Sequence, residues 1–206
     1  MVSAAFSPDG TRVVTASADH TARVWDAASG APVAHPLAHR DSVLGAAFSP
    51  EGGRVVTASW DHSARVWDAA SGQPLSPPLA HEGFVESAVF SPDGARVVTA
   101  SWDHTARVWD AASGKPRSPA LAHQDKVHGA AFDPEGARVV TTSNDRTARV
   151  WSVPLASGTL DEWRATIERV STYVLTNGVL SPRIWSEVPD PRYKTTVQSA
   201  PPRRSE

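Results

Sequence analysis

Short runs of apolar and β-branched residues recur along the chain, separated by polar turns that contain Gly and Pro. The run RVVTAS at 54–59 is followed by a polar corner and then by ARVWD at 64–68. This composition is typical of β-strands. Turns such as SPDG at 7–10 place Pro at the second position and Gly at the end, which favours a hairpin. The pattern predicts a succession of short antiparallel strands.

The predicted strands repeat with a strict period along most of the chain. Two sets of aromatic residues carry this period at a spacing of 42 positions: Phe6, Phe48, Phe90 and Phe132, and Trp25, Trp67, Trp109 and Trp151. Each unit ends in a Pro-rich segment such as 73–79, which belongs at a sheet edge because Pro cannot donate to a central ladder. One unit is too small to bury a core alone, so we expect the units to stack against one another.

Several short motifs recur at fixed places in this period. They are Ala-His (38–39), the SPDG turn (7–10), a Ser-x-Asp corner (59–61) and a closing Trp-Asp (67–68). With them, the chain resembles the WD-repeat β-propellers, although that family more often has Gly-His, and Ser152 replaces the last Asp. The resemblance implies an all-β propeller of four-stranded antiparallel blades over 1–153. The four expected blades are about 2–42, 43–84, 85–126 and 127–153.

The resemblance also implies a buried hydrogen-bond network of His, Ser, Asp and Trp in each complete repeat. The three expected networks are His39, Ser59, Asp61 and Trp67; His81, Ser101, Asp103 and Trp109; and His123, Ser143, Asp145 and Trp151. Ser, His and Asp can also form an activated nucleophile. Catalysis needs one site, whereas a scaffold needs the same device in every blade. The repetition therefore favours a structural role, and we predict no catalytic residues.

Positions that differ between otherwise matching repeats are candidates for partner binding. They are the corner residues Trp60, Trp102 and Asn144, and, near the first strand, Leu44, Phe84, Glu86, Lys126 and His128. In the family such positions face the top of the propeller. Trp is enriched in binding hot spots, and this mixture of side chains suits a protein or peptide. The rival interpretation is that each Trp packs on its neighbouring loop.

Composition and charge exclude several other classes of function. The net charge of −2 gives no basic face for nucleic acid, and no apolar run approaches the ~20 residues of a membrane helix. The chain has no Cys, and we expect a cytoplasmic protein without cofactor. The corner residues His20, His62 and His104 lie in different blades, and Arg146 takes the fourth place. We therefore predict no metal site.

The repeat ends after Trp151, and a different pattern follows. A capping box at 159–162 predicts a helix. Its apolar stripe is Leu160, Trp163, Ile167, Val170 and Val174. Asn177-Gly178 predicts a turn after the helix, and 179–180 could form a short strand. We expect the segment 154–188 to pack on the last blade, and the segment 189–206 to be disordered because it lacks apolar residues.

Met1 aligns with Val43, Val85 and Val127, so the chain begins inside its own repeat. One hypothesis is that Met1 is an internal Val codon of a longer signalling or regulatory protein, of which this is the C-terminal part. Another is a homodimer that closes an eight-bladed ring, and a third is a closed four-bladed ring. The expected function is a non-enzymatic scaffold for protein–protein interaction. The alternative is a propeller enzyme, a hydrolase or lyase, with its active site in the central channel.

Overall fold

The computed structural model describes residues 1–153 and the strand segments 172–176 and 179–183, and it contains four antiparallel sheets. The first consists of β1 (Ser3–Phe6), β2 (Arg12–Ala16), β3 (Thr21–Asp26) and β4 (Leu37–Ala38). The second consists of β5 (Val43–Phe48), β6 (Arg54–Ser59), β7 (Ser63–Asp68) and β8 (Leu79–Ala80). The third consists of β9 (Val85–Phe90), β10 (Arg96–Ser101), β11 (Thr105–Asp110) and β12 (Leu121–Ala122). The fourth consists of β13 (Val127–Phe132), β14 (Arg138–Ser143), β15 (Ala148–Ser152), β16 (Thr172–Thr176) and β17 (Val179–Arg183). Each sheet is one blade, so the predicted all-β architecture is confirmed.

Local turn chemistry sets the connections inside each blade. In the turn between β5 and β6, Gly52 has a φ of 74°, a left-handed conformation that Gly adopts without a steric penalty. At the corner between β6 and β7, His62 has a φ of 67°, and Asp61 accepts hydrogen bonds from both the backbone N–H and the hydroxyl of Ser63. These contacts hold the polar corner in the same shape in every blade.

The hydrophobic core lies between neighbouring blades rather than inside one blade. In the central junction, Val56 and Val66 of the second blade pack against Val97 and Trp109 of the third, and these side chains are at most 5% exposed. Equivalent clusters fill the junctions on either side. A blade buries its apolar faces only against its neighbours, as expected of a repeat protein.

In the first two junctions, an arginine beside the turn between the first and second strands also joins the blades. Arg54 donates from Nη2 to the carbonyl oxygen of Gly94 at 2.8 Å, and its guanidinium lies 5.1 Å from the ring centroid of Phe90. Arg12 makes the same pair of contacts with Gly52 and Phe48 in the preceding junction. In both junctions, the arginine thus connects one blade to the next through a hydrogen bond and a cation–π contact.

The blades form an open arc. The first strands β1, β5, β9 and β13 are neighbours in that order. Within residues 1–153, neither β13 nor β14 packs extensively on β1 as it would in a closed ring, and Val140 of β14 is 40% exposed. The described arrangement is therefore not the closed four-bladed ring.

The outer part of the fourth blade differs from the expected helix. The beginning of that predicted helix and the tail 189–206 lie outside the described residues. Val174, however, lies in β16, where it pairs with Arg149, and Leu175 pairs with Ala148. The prediction of helix for this end was wrong because Thr172, Tyr173 and Val174 are good strand formers beside an unpaired edge of β15. The predicted strand at 179–180 is the start of β17.

Candidate protein-binding face

Inside each complete blade, four side chains form a continuous hydrogen-bonded chain. In the second blade, Trp67 Nε1 lies 2.8 Å from Thr57 Oγ1, and Thr57 Oγ1 lies 2.7 Å from His39 Nε2. His39 Nδ1 lies 2.8 Å from a carboxylate oxygen of Asp61. The third and fourth blades repeat this chain in two further sets: Trp109, Thr99, His81 and Asp103; and Trp151, Thr141, His123 and Asp145.

Threonine occupies the place in this chain that serine was expected to take. The Ser59 hydroxyl donates to the carbonyl oxygen of Asp41 and accepts from the backbone N–H of Asp61. Ser101 and Ser143 make the equivalent contacts. Serine therefore ties the loop before the first strand to the corner, one step outside the Trp–Thr–His–Asp chain. Thr57 was not among the predicted residues, although a Thr at this position in all four repeats was a usable signal.

A histidine with its proton on Nδ1 completes this chain of hydrogen bonds. The indole N–H of Trp67 donates to Thr57, whose hydroxyl can donate to His39 Nε2, and His39 Nδ1–H donates to the Asp61 carboxylate. Burial disfavours the ionised Asp61 carboxyl, but hydrogen bonds from His39, Ser63 and the Arg40 N–H outweigh it and hold its pKa below the usual range. In the fourth blade, burial lowers the pKa of His123 despite its bond to Asp145.

A hydroxyl, an imidazole and a carboxylate in this order also form the core of a hydrolase triad. Here the hydroxyl already accepts an indole hydrogen bond, and Thr57, Thr99 and Thr141 are fully buried. The side chains of His39, His81 and His123 are likewise fully buried. No substrate can reach these atoms in the described structure, so the geometry fits a scaffold device.

The variable positions meet at the end of the arc that carries the Ser-x-Asp corners, which we call the top face. In three blades the corner residue donates its backbone N–H to the loop before the first strand. The pairs are Trp60 with Ser42, Trp102 with Phe84, and Asn144 with Lys126. Two positions that are 18 residues apart in the sequence are thereby held side by side.

A β-bulge places the other variable position on the same face. The register of β9 against β10 passes from Ser87 to Val85, so Glu86 is left without a partner in the ladder. Leu44 and His128 are the unpaired residues of the same bulge in their blades. A bulge re-aims the side chain that it carries. Here Glu86 and His128 meet across the junction between the third and fourth blades, with 2.7 Å between Oε2 and Nδ1.

Three aromatic side chains make a continuous patch across two blades, and we call Trp60, Phe84 and Trp102 the aromatic cluster. The Trp60 and Phe84 rings are stacked, with centroids 5.2 Å apart and an interplanar angle of 22°. Trp102 lies 5.4 Å from Phe84 and 6.3 Å from Trp60. All three are half-buried, so part of each ring is accessible. Each Trp packs on a neighbouring loop, as in the rival interpretation, yet the cluster as a whole reaches the surface.

Charged groups border the cluster on the side of the fourth blade. Lys126 Nζ lies 3.9 Å from the Trp102 ring centroid, a cation–π distance. Trp102 Nε1 donates to Glu86 at 2.5 Å. The hydrogen bond that the Glu86 carboxylate accepts from His128 is the largest of the contributions that raise the pKa of His128, and Asn144 adds a smaller one. Of the predicted binding residues, all but Leu44 therefore join one connected patch; Leu44 occupies the matching bulge of the second blade and is half-buried.

Comparison with known proteins identifies the repeat. The family model described as "WD domain, G-beta repeat" matches four segments of the chain: 2–26, 30–68, 72–110 and 115–152. A separate comparison with curated proteins found no match to the chain. Across the described residues, no helix has the length and apolar character needed to span a bilayer, and His, Asp and Glu form no cluster suited to a metal ion.

Proposed function

The chain belongs to the WD-repeat family, and from this premise we propose that it is a non-enzymatic docking module that binds a protein or peptide through the aromatic cluster of its top face. WD-repeat domains generally mediate protein–protein interaction. The observation that carries the proposal is the half-exposed cluster of Trp60, Phe84 and Trp102 bordered by Lys126 and Glu86. A cytoplasmic location, without nucleic-acid or membrane partners, is part of the proposal.

The cluster is preformed, which supports this role. Backbone hydrogen bonds hold Trp60 and Trp102 at their corners, and the Glu86 carboxylate fixes the orientation of the Trp102 indole. A rigid aromatic surface loses little conformational entropy when a partner binds. Aromatic side chains that are already ordered and partly exposed are the usual centre of an interface hot spot.

The chemistry of the patch also indicates what a partner would present. The ring faces offer an apolar platform for an aromatic or aliphatic side chain. Lys126 and the Glu86–His128 pair lie beside it and can bond the carbonyl and N–H groups of a peptide backbone. Both signs of charge are present within one patch, whereas nucleic acid is bound by a predominantly basic surface.

A random peptide library displayed on phage tests the proposal with the full chain. Peptides enriched on the wild type are then measured by calorimetry against Trp60→Ala combined with Trp102→Ala. We expect the double variant to raise the Kd at least about tenfold, because truncation of hot-spot aromatics costs about 2 kcal/mol or more.

The matched control is Val33→Ala combined with Leu75→Ala, which removes two exposed apolar side chains outside the top face. This control should bind the same peptides with unchanged affinity. Unfolding curves of both variants establish that the blades remain folded. Equal affinity of the tryptophan variant and the wild type, or no enrichment above an unfolded sample of the chain, would contradict the proposal.

A further inference from the structure

None of the described residues covers one face of the last blade. Val14, Val56 and Val98 of the first three blades are fully buried in the junction that follows each of them. Val140 takes this position in the fourth blade and is 40% exposed. Thr142, Ala148 and Val150 continue the same face, and none of them is buried. This face therefore resembles the junction faces of the other blades in its residues, but its residues are not buried.

Among the described residues, the first blade also has an uncovered face, which corresponds to the face of each later blade that packs on the preceding blade. Trp67, Trp109 and Trp151 are 4–6% exposed in the junctions that precede their blades, whereas Trp25 is only half-buried. Phe6 is 69% exposed and Met1 84%. Val13 and Ala27 complete this surface, and their counterparts in the next two blades are buried.

These two open faces are complementary, and the chain itself contains the template for their contact. In each of the three junctions, the face that carries Val14, Val56 or Val98 is covered by the face of the next blade that carries Trp67, Trp109 or Trp151. The fourth blade has the first kind of face, and the first blade has the second kind. Within residues 1–153, two of the matched apolar positions differ from the templates: Thr142 replaces Ala, and Met1 replaces Val. The buried Leu of each template, such as Leu121, has no counterpart there at the 42-residue spacing. At the remaining matched positions, the contact requires no surface that the chain does not already use.

We infer that a second copy of this chain covers both open faces, with its first blade packed on the fourth blade of the first copy and the reverse contact on the other side. Val140 of one copy then lies against Val13 and Trp25 of the other, as Val98 lies in one cluster with Val139 and Trp151. The contact is head-to-tail, and two copies close a ring of eight blades around a two-fold axis.

The contacts between blades inside the chain also favour a second copy over an unrelated partner. An unrelated protein would have to reproduce the shape of a blade on two different faces. A second copy brings both surfaces already matched in register by the same 42-residue period. Its turn at 7–10 also brings the Gly10 carbonyl and the Phe6 ring, whose counterparts Gly94 and Phe90 receive Arg54 in the template junction.

The test is the mass of the 206-residue chain in solution, by light scattering after size exclusion. We expect twice the mass of one chain. Val140→Asp and Phe6→Asp should each reduce the mass to that of a monomer, because a head-to-tail contact uses both faces in every junction. The matched control is Val33→Asp, at a valine that is 39% exposed outside both faces, and it should remain a dimer.

Mixing the two disrupted variants separates this contact from a symmetric one. The Phe6→Asp chain keeps an intact fourth blade and the Val140→Asp chain an intact first blade, so the mixture should recover a dimer with one unaltered junction. A symmetric contact between like faces would be disrupted by only one of the two substitutions. A monomeric wild type, or a dimer that survives either substitution while circular dichroism shows folded blades, would overturn the inference.

Discussion

At the scale of single residues, one hydroxyl joins the two halves of each blade network. Thr99 Oγ1 lies 2.8 Å from Trp109 Nε1 and 2.7 Å from His81 Nε2, and it is fully buried. Thr99→Val keeps the shape but leaves both nitrogens without this partner. We expect a loss of about 1–3 kcal/mol in the free energy of unfolding, measured by urea denaturation.

The first blade supplies the matched control for this substitution. Thr15 accepts the Trp25 indole at 2.9 Å, but its repeat has no equivalent of His81, and it is only half-buried. Thr15→Val should therefore cost clearly less than Thr99→Val. Equal losses at the two positions would show that the shared hydroxyl is not what stabilises the blade.

The carboxylate of the network makes stability depend on pH. Burial opposes ionisation of Asp103, but hydrogen bonds from His81 and Thr105 dominate and hold its pKa below the ordinary 3.8. A lowered folded-state pKa adds stability that is complete above the unfolded value of about 3.9 and disappears as the pH falls through the folded value. We therefore expect Asp103→Asn to destabilise by about 1.5–3 kcal/mol at pH 7 and by less as the pH falls below 4.

Unfolding curves between pH 7 and pH 2 measure this difference. Asp19→Asn is the control, since Asp19 holds the same corner in the first blade without a histidine partner and should have the smaller effect at pH 7. A difference between wild type and Asp103→Asn that stays constant across the acid range would contradict the linkage.

At the scale of elements, the strands that recur in every repeat could be predicted from the sequence, whereas features that break the repeat could not. Alternating β-branched runs and Pro-Gly turns are local signals, so the strands of residues 1–153 could be read in advance. The bulge at Glu86 could not, because an unpaired residue has no signature in a matching run of apolar positions. The strand at 172–176 was also missed, since its pairing with β15 is a long-range contact that overrides a helical pattern.

The candidate site, too, could be predicted only in part from the sequence. The positions that vary between repeats could be found by comparing the repeats with one another, and Trp60, Phe84 and Trp102 do meet. Which of them touch across blades depended on the order of the blades in space. The contact between Glu86 and His128 joins residues 42 positions apart, and it exists only because two bulges face each other.

At the scale of the whole molecule, the apolar clusters at the junctions between neighbouring blades form the core. The central junction is fastened by Arg54, which bonds the Gly94 carbonyl at 2.8 Å and covers the Phe90 ring. Arg54→Ala removes both contacts between the second and third blades. We expect a loss of about 1–3 kcal/mol in the free energy of unfolding.

This loss should also weaken the coupling between the two halves of the arc, since each half then unfolds more independently of the other. Urea denaturation of the chain at a fixed protein concentration measures both effects, because reduced cooperativity lowers the m-value. Arg54→Lys retains the positive charge over Phe90 but cannot present the planar guanidinium, so its loss should be intermediate. An Arg54→Ala variant with the midpoint and m-value of the wild type would mean that apolar packing alone, through residues such as Val97 and Trp109, couples the blades.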